Sequence, residues 1–188
     1  VYRFRRLVHV VAHPSDEPSR RAFLETFGSV VESASPAHAD GLTPDLSSTA
    51  VTVVLVGAQT WRSKWVDWSV AASLRPRGAS HGARASAGLV GILLPSYRIP
   101  DGLTGSLHDC LRVSVPRRRR YAPNNLPPRL MDQVDRGFAS VHPFPSGDVE
   151  LADWLDTAAI RRAAAPAPRD LRALMVRDRR ASMPYWRA

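Results

Sequence analysis

Two stretches hold most of the side chains in this chain that could do chemistry: HPSDEP, His13 to Pro18, and GAQTWRSKWVDWS, Gly57 to Ser69. In the first, His13 could contact a phosphate or act as an acid, although a histidine at a turn is also an ordinary surface residue. Asp16 and Glu17 are carboxylates of the same loop, placed to reach a pocket at the end of a strand. In the second, Trp61, Trp65 and Trp68 could stack on a flat ring, or instead fill a core or a subunit interface. Thr60 and Ser63 could touch a ligand or cap the helix that follows. Ser69 lies one turn after Trp65 and one turn before Ser73, on a helix face without a carboxylate. Asp67, two residues away and about 200° around the helix, faces elsewhere.

Other chemistries are excluded or unsupported. The single cysteine, Cys110, rules out an internal disulfide framework and a multi-cysteine zinc site. It has no local Cys/His framework for nucleophilic catalysis. There is no P-loop, Rossmann glycine fingerprint, H-E-x-x-H or esterase elbow. GLVGILLP carries glycines but reads as a strand, so it does not cradle phosphate. No metal and no resident cofactor are expected.

The elements that must position these residues follow from periodicity. LVHVVA, Leu7 to Ala12, reads as a buried strand ending in HPSDEP. Pro18 suits the first turn of a helix, and Phe23, Phe27, Val30 and Val31 fall at helical spacing after it. ASPAHADGLTPDLSS is turn-rich. AVTVVLV is a continuous β-branched run, as in a strand covered on both faces. WRSKWVDWSVAASL is a helix that ends before Pro76, and GLVGILLP is the next strand. Strand, helix, strand from Val51 to Leu94 make a βαβ unit with parallel strands. Ser96 to Pro128 reads mostly as loop, with a weak strand candidate at Leu111–Val115. GFASVHPF is a last strand. SGDVELADWLDTAAIRR is a helix capped by Ser146 or Asp148, acidic at its start and basic at its end. The sum is an α/β three-layer sandwich around a mostly parallel sheet, and its ligands bind beyond the carboxyl ends of the strands. The loops after Ala12 and Val56 lie there.

Length and charge fit this organisation. The 188 residues suit one domain with a tail, and 44% apolar residues suffice for a core. We expect residues 1–163 to form the domain. Residues 164–188 form an arginine-rich tail, either disordered or a short helix around Leu171, Leu174 and Met175. No apolar run is long enough to span a bilayer, and the basic, then apolar, start reads as a first strand rather than a signal peptide. A cytoplasmic protein is the default. The net charge of +9 is almost all arginine, with Lys64 the only lysine, a bias that GC-rich coding also produces. The run Arg117–Arg120 reads as a solvated loop rather than a nucleic-acid site.

VLVGAQTWRSKWVDWSV resembles the signature of TIR-like domains of the Thoeris antiphage system: a strand, G-[SA]-x-T, then W-V-x-[YW]-E-[IV]. Val54 to Val56 supply the strand, Gly57, Ala58 and Thr60 the turn, and Trp65, Val66, Trp68 and Val70 the helix. GLVGILLP is similar to the next family strand, and LPPRLMDQVDRGFASVHPF with LADWLDTAAIRR to the family's ending, where a last strand precedes a helix with a buried Trp. The resemblance implies a TIR/flavodoxin-like fold, possibly trimmed by a strand before Val51. It also implies NAD⁺ as substrate or ligand, cleaved at the nicotinamide–ribose bond to a cyclic ADP-ribose-like signal. In the family a Glu holds the catalytic position, and here that position is Ser69. His13, Asp16, Thr60, Trp61 and Trp65 become the candidate nucleotide-binding residues. The expected reading is a TIR-like protein of an immune signalling pathway with cleavage weakened or lost. The alternative is an inactive nucleotide-binding or assembly module that joins itself or a TIR-type partner. A third is a non-specific nucleic-acid binder. We expect Trp65 or Trp68 to be largely buried.

Overall fold

The computed structural model describes residues 5–33, 49–74, 86–98 and 126–164. The strand candidate Leu111–Val115, Cys110, the arginine run and the tail around Leu171, Leu174 and Met175 lie outside the described residues. In chain order the elements are β1 (Arg6–Val11), α1 (Glu17–Thr26), β2 (Val31–Ser33), β3 (Val51–Val56), α2 (Lys64–Ser73), β4 (Gly88–Leu93), α3 (Pro128–Asp135), β5 (Ala139–His142) and α4 (Asp148–Ala164). The strands form one sheet of five in the order β2-β1-β3-β4-β5. Every pairing is parallel, with Val8 beside Val51 and Val51 beside Gly88. The expected adjacency of the first, second and third apolar strands therefore holds, and among the described residues every strand of the sheet is parallel.

Burial on both faces explains the unbroken apolar runs. All six residues of β3 and all six of β4 are buried. Val51, Val53, Leu55, Val90 and Ile92 face one layer with Phe23 and Phe27 at α1 and Leu151, Leu155 and Ala158 of α4. Val54, Val56, Leu89 and Leu93 face the other, with Val66, Val70 and Ala71 of α2 and Leu130 of α3. Alternate residues of one strand thus feed two different cores, which an alternating apolar/polar pattern could not do. α4 approaches β4 so closely that a methyl on Gly88 would sit 2.5 Å from the Ala158 carbonyl oxygen.

Two local readings are corrected. Val30 and Val31 do not continue the first helix. Phe27 closes it, its carbonyl accepting from the N–H groups of Val30 (2.9 Å) and Val31 (2.9 Å), and Arg6 N–H then donates to the Val30 carbonyl. Val31–Ser33 becomes the edge strand β2 against β1. Helical spacing and a helix–turn–strand step place the same valines on the core, so periodicity alone did not separate them. The suspected loss of a strand before Val51 is corrected by the same finding, since β2 is present and only three residues long. The second correction is α3, a helix that begins at Pro128, where the sequence reading ended a loop, and runs through residues to which it gave no element. Pro128 stands in its first turn, and Pro128, Arg129, Leu130 and Gln133 are its buried positions.

Lys64 opens α2 and is 1% exposed. Ser63 caps that helix, its hydroxyl accepting from Val66 N–H at 3.3 Å. At α4, Glu150 reaches back to accept from Ser146 N–H at 2.8 Å and from its hydroxyl at 2.7 Å.

Candidate active site at the carboxyl ends of the strands

The chain leaves β1 toward β2 on one side, while β3 lies on the other. The strand order therefore reverses between β1 and β3, which is where open parallel sheets hold their ligands. The loops that follow β1 and β3 meet there. HPSDEP is not an irregular loop throughout: Pro14–Asp16 form a 3-10 turn that feeds directly into α1. This turn drives the Asp16 side chain inward, to 7% exposure. It lies over Gly57, the first residue beyond β3, so closely that a methyl there would sit 2.6 Å from the Asp16 Cγ. Thr60 bridges the two loops. Its hydroxyl accepts from Gly57 N–H at 2.8 Å and donates to Asp16 Oδ2 at 3.5 Å.

The electrostatics of this cluster favour neutral groups. Burial raises the Asp16 carboxyl above its ordinary range, while neighbouring His13 and hydrogen bonds from Thr60 and Ser96 pull it down. Burial lowers His13; the Asp16 charge opposes that and Arg62 adds to it. Ser15 N–H donates to His13 Nδ1 at 3.1 Å, and the Ser15 hydroxyl lies 2.7 Å from the same nitrogen. Nδ1 is then the acceptor, and the neutral ring carries its proton on Nε2. No arginine or lysine among the described residues makes an ion pair with Asp16.

The predicted site residues divide. His13, Asp16 and Thr60 come together, joined by Gly57, Arg62 and Ser96, of which Arg62 and Ser96 were not foreseen. Glu17 turns away onto α1 and accepts from Arg20 at 3.1 Å and Arg21 at 3.5 Å. Ser69 is half-buried on α2, and its hydroxyl donates to the Trp65 carbonyl at 2.9 Å. It makes no hydrogen bond to His13, Asp16 or Thr60. The expected burial of Trp65 or Trp68 is corrected: Trp65 is 50% exposed, Trp68 is half-buried, and Trp61 at 7% is the tryptophan the core takes. Trp61 belongs to the 3-10 turn Thr60–Arg62 that precedes α2, which tucks it under the loop instead of along the helix. Trp154 is half-buried and stacks on His142 with centroids 4.2 Å apart.

Asp67 does face elsewhere, as its position on the helix implied. It is 2% exposed and meets the start of α3. Its carboxylate accepts from Arg129 N–H at 2.8 Å and from Arg129 Nη1 at 2.6 Å. Burial pushes its carboxyl up to about 6, against the pull of the Arg129 charge. A helix that starts at Pro128, one residue before Arg129, was the available signal for this partner; nothing in the spacing linked it to Asp67.

Among the described residues, no group of three His, Cys, Asp or Glu side chains could hold a metal ion, and no helix is long and apolar enough to cross a membrane. No curated protein gives a match to the chain. Residues 31–98, the stretch that runs from β2 through β4 and contains Gly57, Thr60 and Ser69, match the family described as Thoeris protein ThsB, TIR-like domain. Signature, parallel topology and family match agree on that stretch, which is similar to a TIR-like domain of the Thoeris type.

Proposed function

We propose that this chain acts in the cytoplasm as a TIR-type antiphage signalling protein that binds NAD⁺ or a related nucleotide at the crevice beyond β1, β3 and β4, and cleaves it slowly or not at all. The observation that carries this reading is Ser69. It stands where the motif has its Glu, and its hydroxyl is engaged by the helix backbone at Trp65. Breaking the bond between nicotinamide and ribose builds positive charge at the sugar, on the logic of glycoside hydrolysis. A serine hydroxyl carries no charge to offset it. Losing one such electrostatic group costs on the order of 10²–10³ in rate.

The test is nicotinamide release from NAD⁺ by the purified protein. Wild type is expected to release it slowly or not at all, and Ser69→Glu to release it measurably faster. Robust turnover by the wild type would refute the reading. The exposed Trp65, one turn from Ser69, favours a second reading in which α2 joins a TIR-type partner or a second copy and no turnover occurs. A light-scattering mass that falls on Trp65→Ala, with NAD⁺ turnover absent from Ser69→Glu as well, would select it.

A further inference from the structure

We propose that Asp16 is the specificity-determining residue of the crevice: it takes the vicinal hydroxyls of a ribose and keeps phosphate out of the space over Gly57. This rests on the nucleotide reading above and says which part of the nucleotide lies where. In open parallel sheets a glycine after the strand usually lets phosphate oxygens approach the backbone and the next helix's N–H groups. Here that approach is closed twice. The Gly57 N–H already donates to the Thr60 hydroxyl at 2.8 Å, and the volume above Gly57 holds the Asp16 carboxylate. An anion placed there would meet a carboxylate in a partly dehydrated site.

The same carboxylate is short of donors. A buried carboxylate accepts several hydrogen bonds when its charge is to be kept. Asp16 has a hydroxyl from Thr60 at 3.5 Å, the outer limit of a bond, and one from Ser96. It has no ion-pair partner among the described residues. A diol brings two O–H donors with a spacing that suits two carboxylate oxygens. It adds no charge, so it satisfies the group without the repulsion a phosphate would bring.

Binding is measured by calorimetry with three probes: ADP-ribose, an ADP-ribose analogue lacking the hydroxyls on C2 and C3 of both riboses, and inorganic pyrophosphate. Wild type is expected to bind the analogue at least about 10-fold more weakly than ADP-ribose, the effect of losing hydrogen bonds to a charged acceptor. Asp16→Asn is expected to bind ADP-ribose about 10-fold more weakly while its affinity for pyrophosphate holds or rises. That opposite movement is what a merely structural Asp16 would not produce, since a loosened crevice weakens both. Equal binding of ADP-ribose and its analogue by wild type overturns the proposal, and this arm decides it alone if the variant does not fold. A joint loss of ADP-ribose and pyrophosphate affinity in Asp16→Asn also overturns it. If wild type binds ADP-ribose but is indifferent to the hydroxyls, this inference fails and the nucleotide reading stands. If wild type binds neither ADP-ribose nor NAD⁺, both fall.

Discussion

Two carboxylates lie buried among the described residues, and they are satisfied in different ways. Asp67 joins α2 to the first turn of α3 through short bonds of 2.6 and 2.8 Å to a single arginine, one from the guanidinium and one from the backbone. Asp16 joins two loops through one hydroxyl at 3.5 Å and another from Ser96, with no cation among the described residues paired to it. A buried charge needs a partner and filled lone pairs. Asp67 has both and reads as a clamp. Among the described residues Asp16 lacks the cation, and it lies where the strand order reverses, the setting in which we propose that it takes a ligand. Both are buried aspartates; the partners separate them.

The comparison can be broken at four points. The largest effect is expected at the clamp. Arg129→Met leaves the Asp67 carboxylate buried alone and should cost about 3–5 kcal/mol of stability, measured by denaturant unfolding. Pairing it with Asp67→Leu should recover much of that, because the stranded charge goes too. If Arg129→Met proves neutral, the clamp reading is wrong. Next is Gly57→Ala, which forces a methyl into the Asp16 carboxylate and should cost about 1–3 kcal/mol. The penalty should shrink when Asp16 is also made alanine, and an unchanged penalty would show that Asp16 is not the obstacle.

Asp16→Asn sharpens the contrast most directly. Burial raises both carboxyls, but among the described residues Asp16 has no ion-pair partner for the amide to lose, whereas Asp67 has Arg129. The amide should leave the unfolding midpoint at neutral pH unchanged or slightly higher, by less than about 1 kcal/mol, whereas Asp67→Asn should lower it clearly. The smallest effect concerns a group outside both carboxylates. Burial lowers His142 to about 4, and Arg161 adds to the shift. Between its ordinary value and that one, the unfolded chain binds the extra proton and the folded chain does not. Stability from this group is therefore present above about pH 6.5 and lost as pH falls toward 4. In His142→Gln the unfolding midpoint should fall less steeply over that window, and an identical slope would remove His142 as the cause.

What could be read without coordinates follows from the kind of signal each residue carries. β3 and β4 announce themselves because strands covered on both faces need unbroken apolar runs, and α2 because its cap, Ser63, precedes a clear amphipathic stretch. β2 was not separable from α1, since Val30 and Val31 reach the same core by either geometry. The tryptophans show the limit of periodicity. Helical spacing ranks Trp65 and Trp68 as inward, yet the 3-10 turn before the helix carries Trp61 into the interior instead. At the site, residue type identified His13, Asp16 and Thr60 as candidates. Their contact depends on two loops far apart in sequence and on the absence of a side chain at Gly57, which no local pattern expresses. The Arg129 partner of Asp67 is of the same kind, a tertiary contact between helices that do not adjoin in sequence.

Lys64 makes the chain its own reporter. It is the only lysine and is 1% exposed at the first turn of α2, the end that faces the crevice. An amine-directed reagent therefore meets no lysine on the folded surface, and acylation at Lys64 requires the structure to open locally around the start of α2. The rate of that single modification reads the opening free energy of the turn that carries Trp65 and leads to Ser69, with no label introduced and no residue changed.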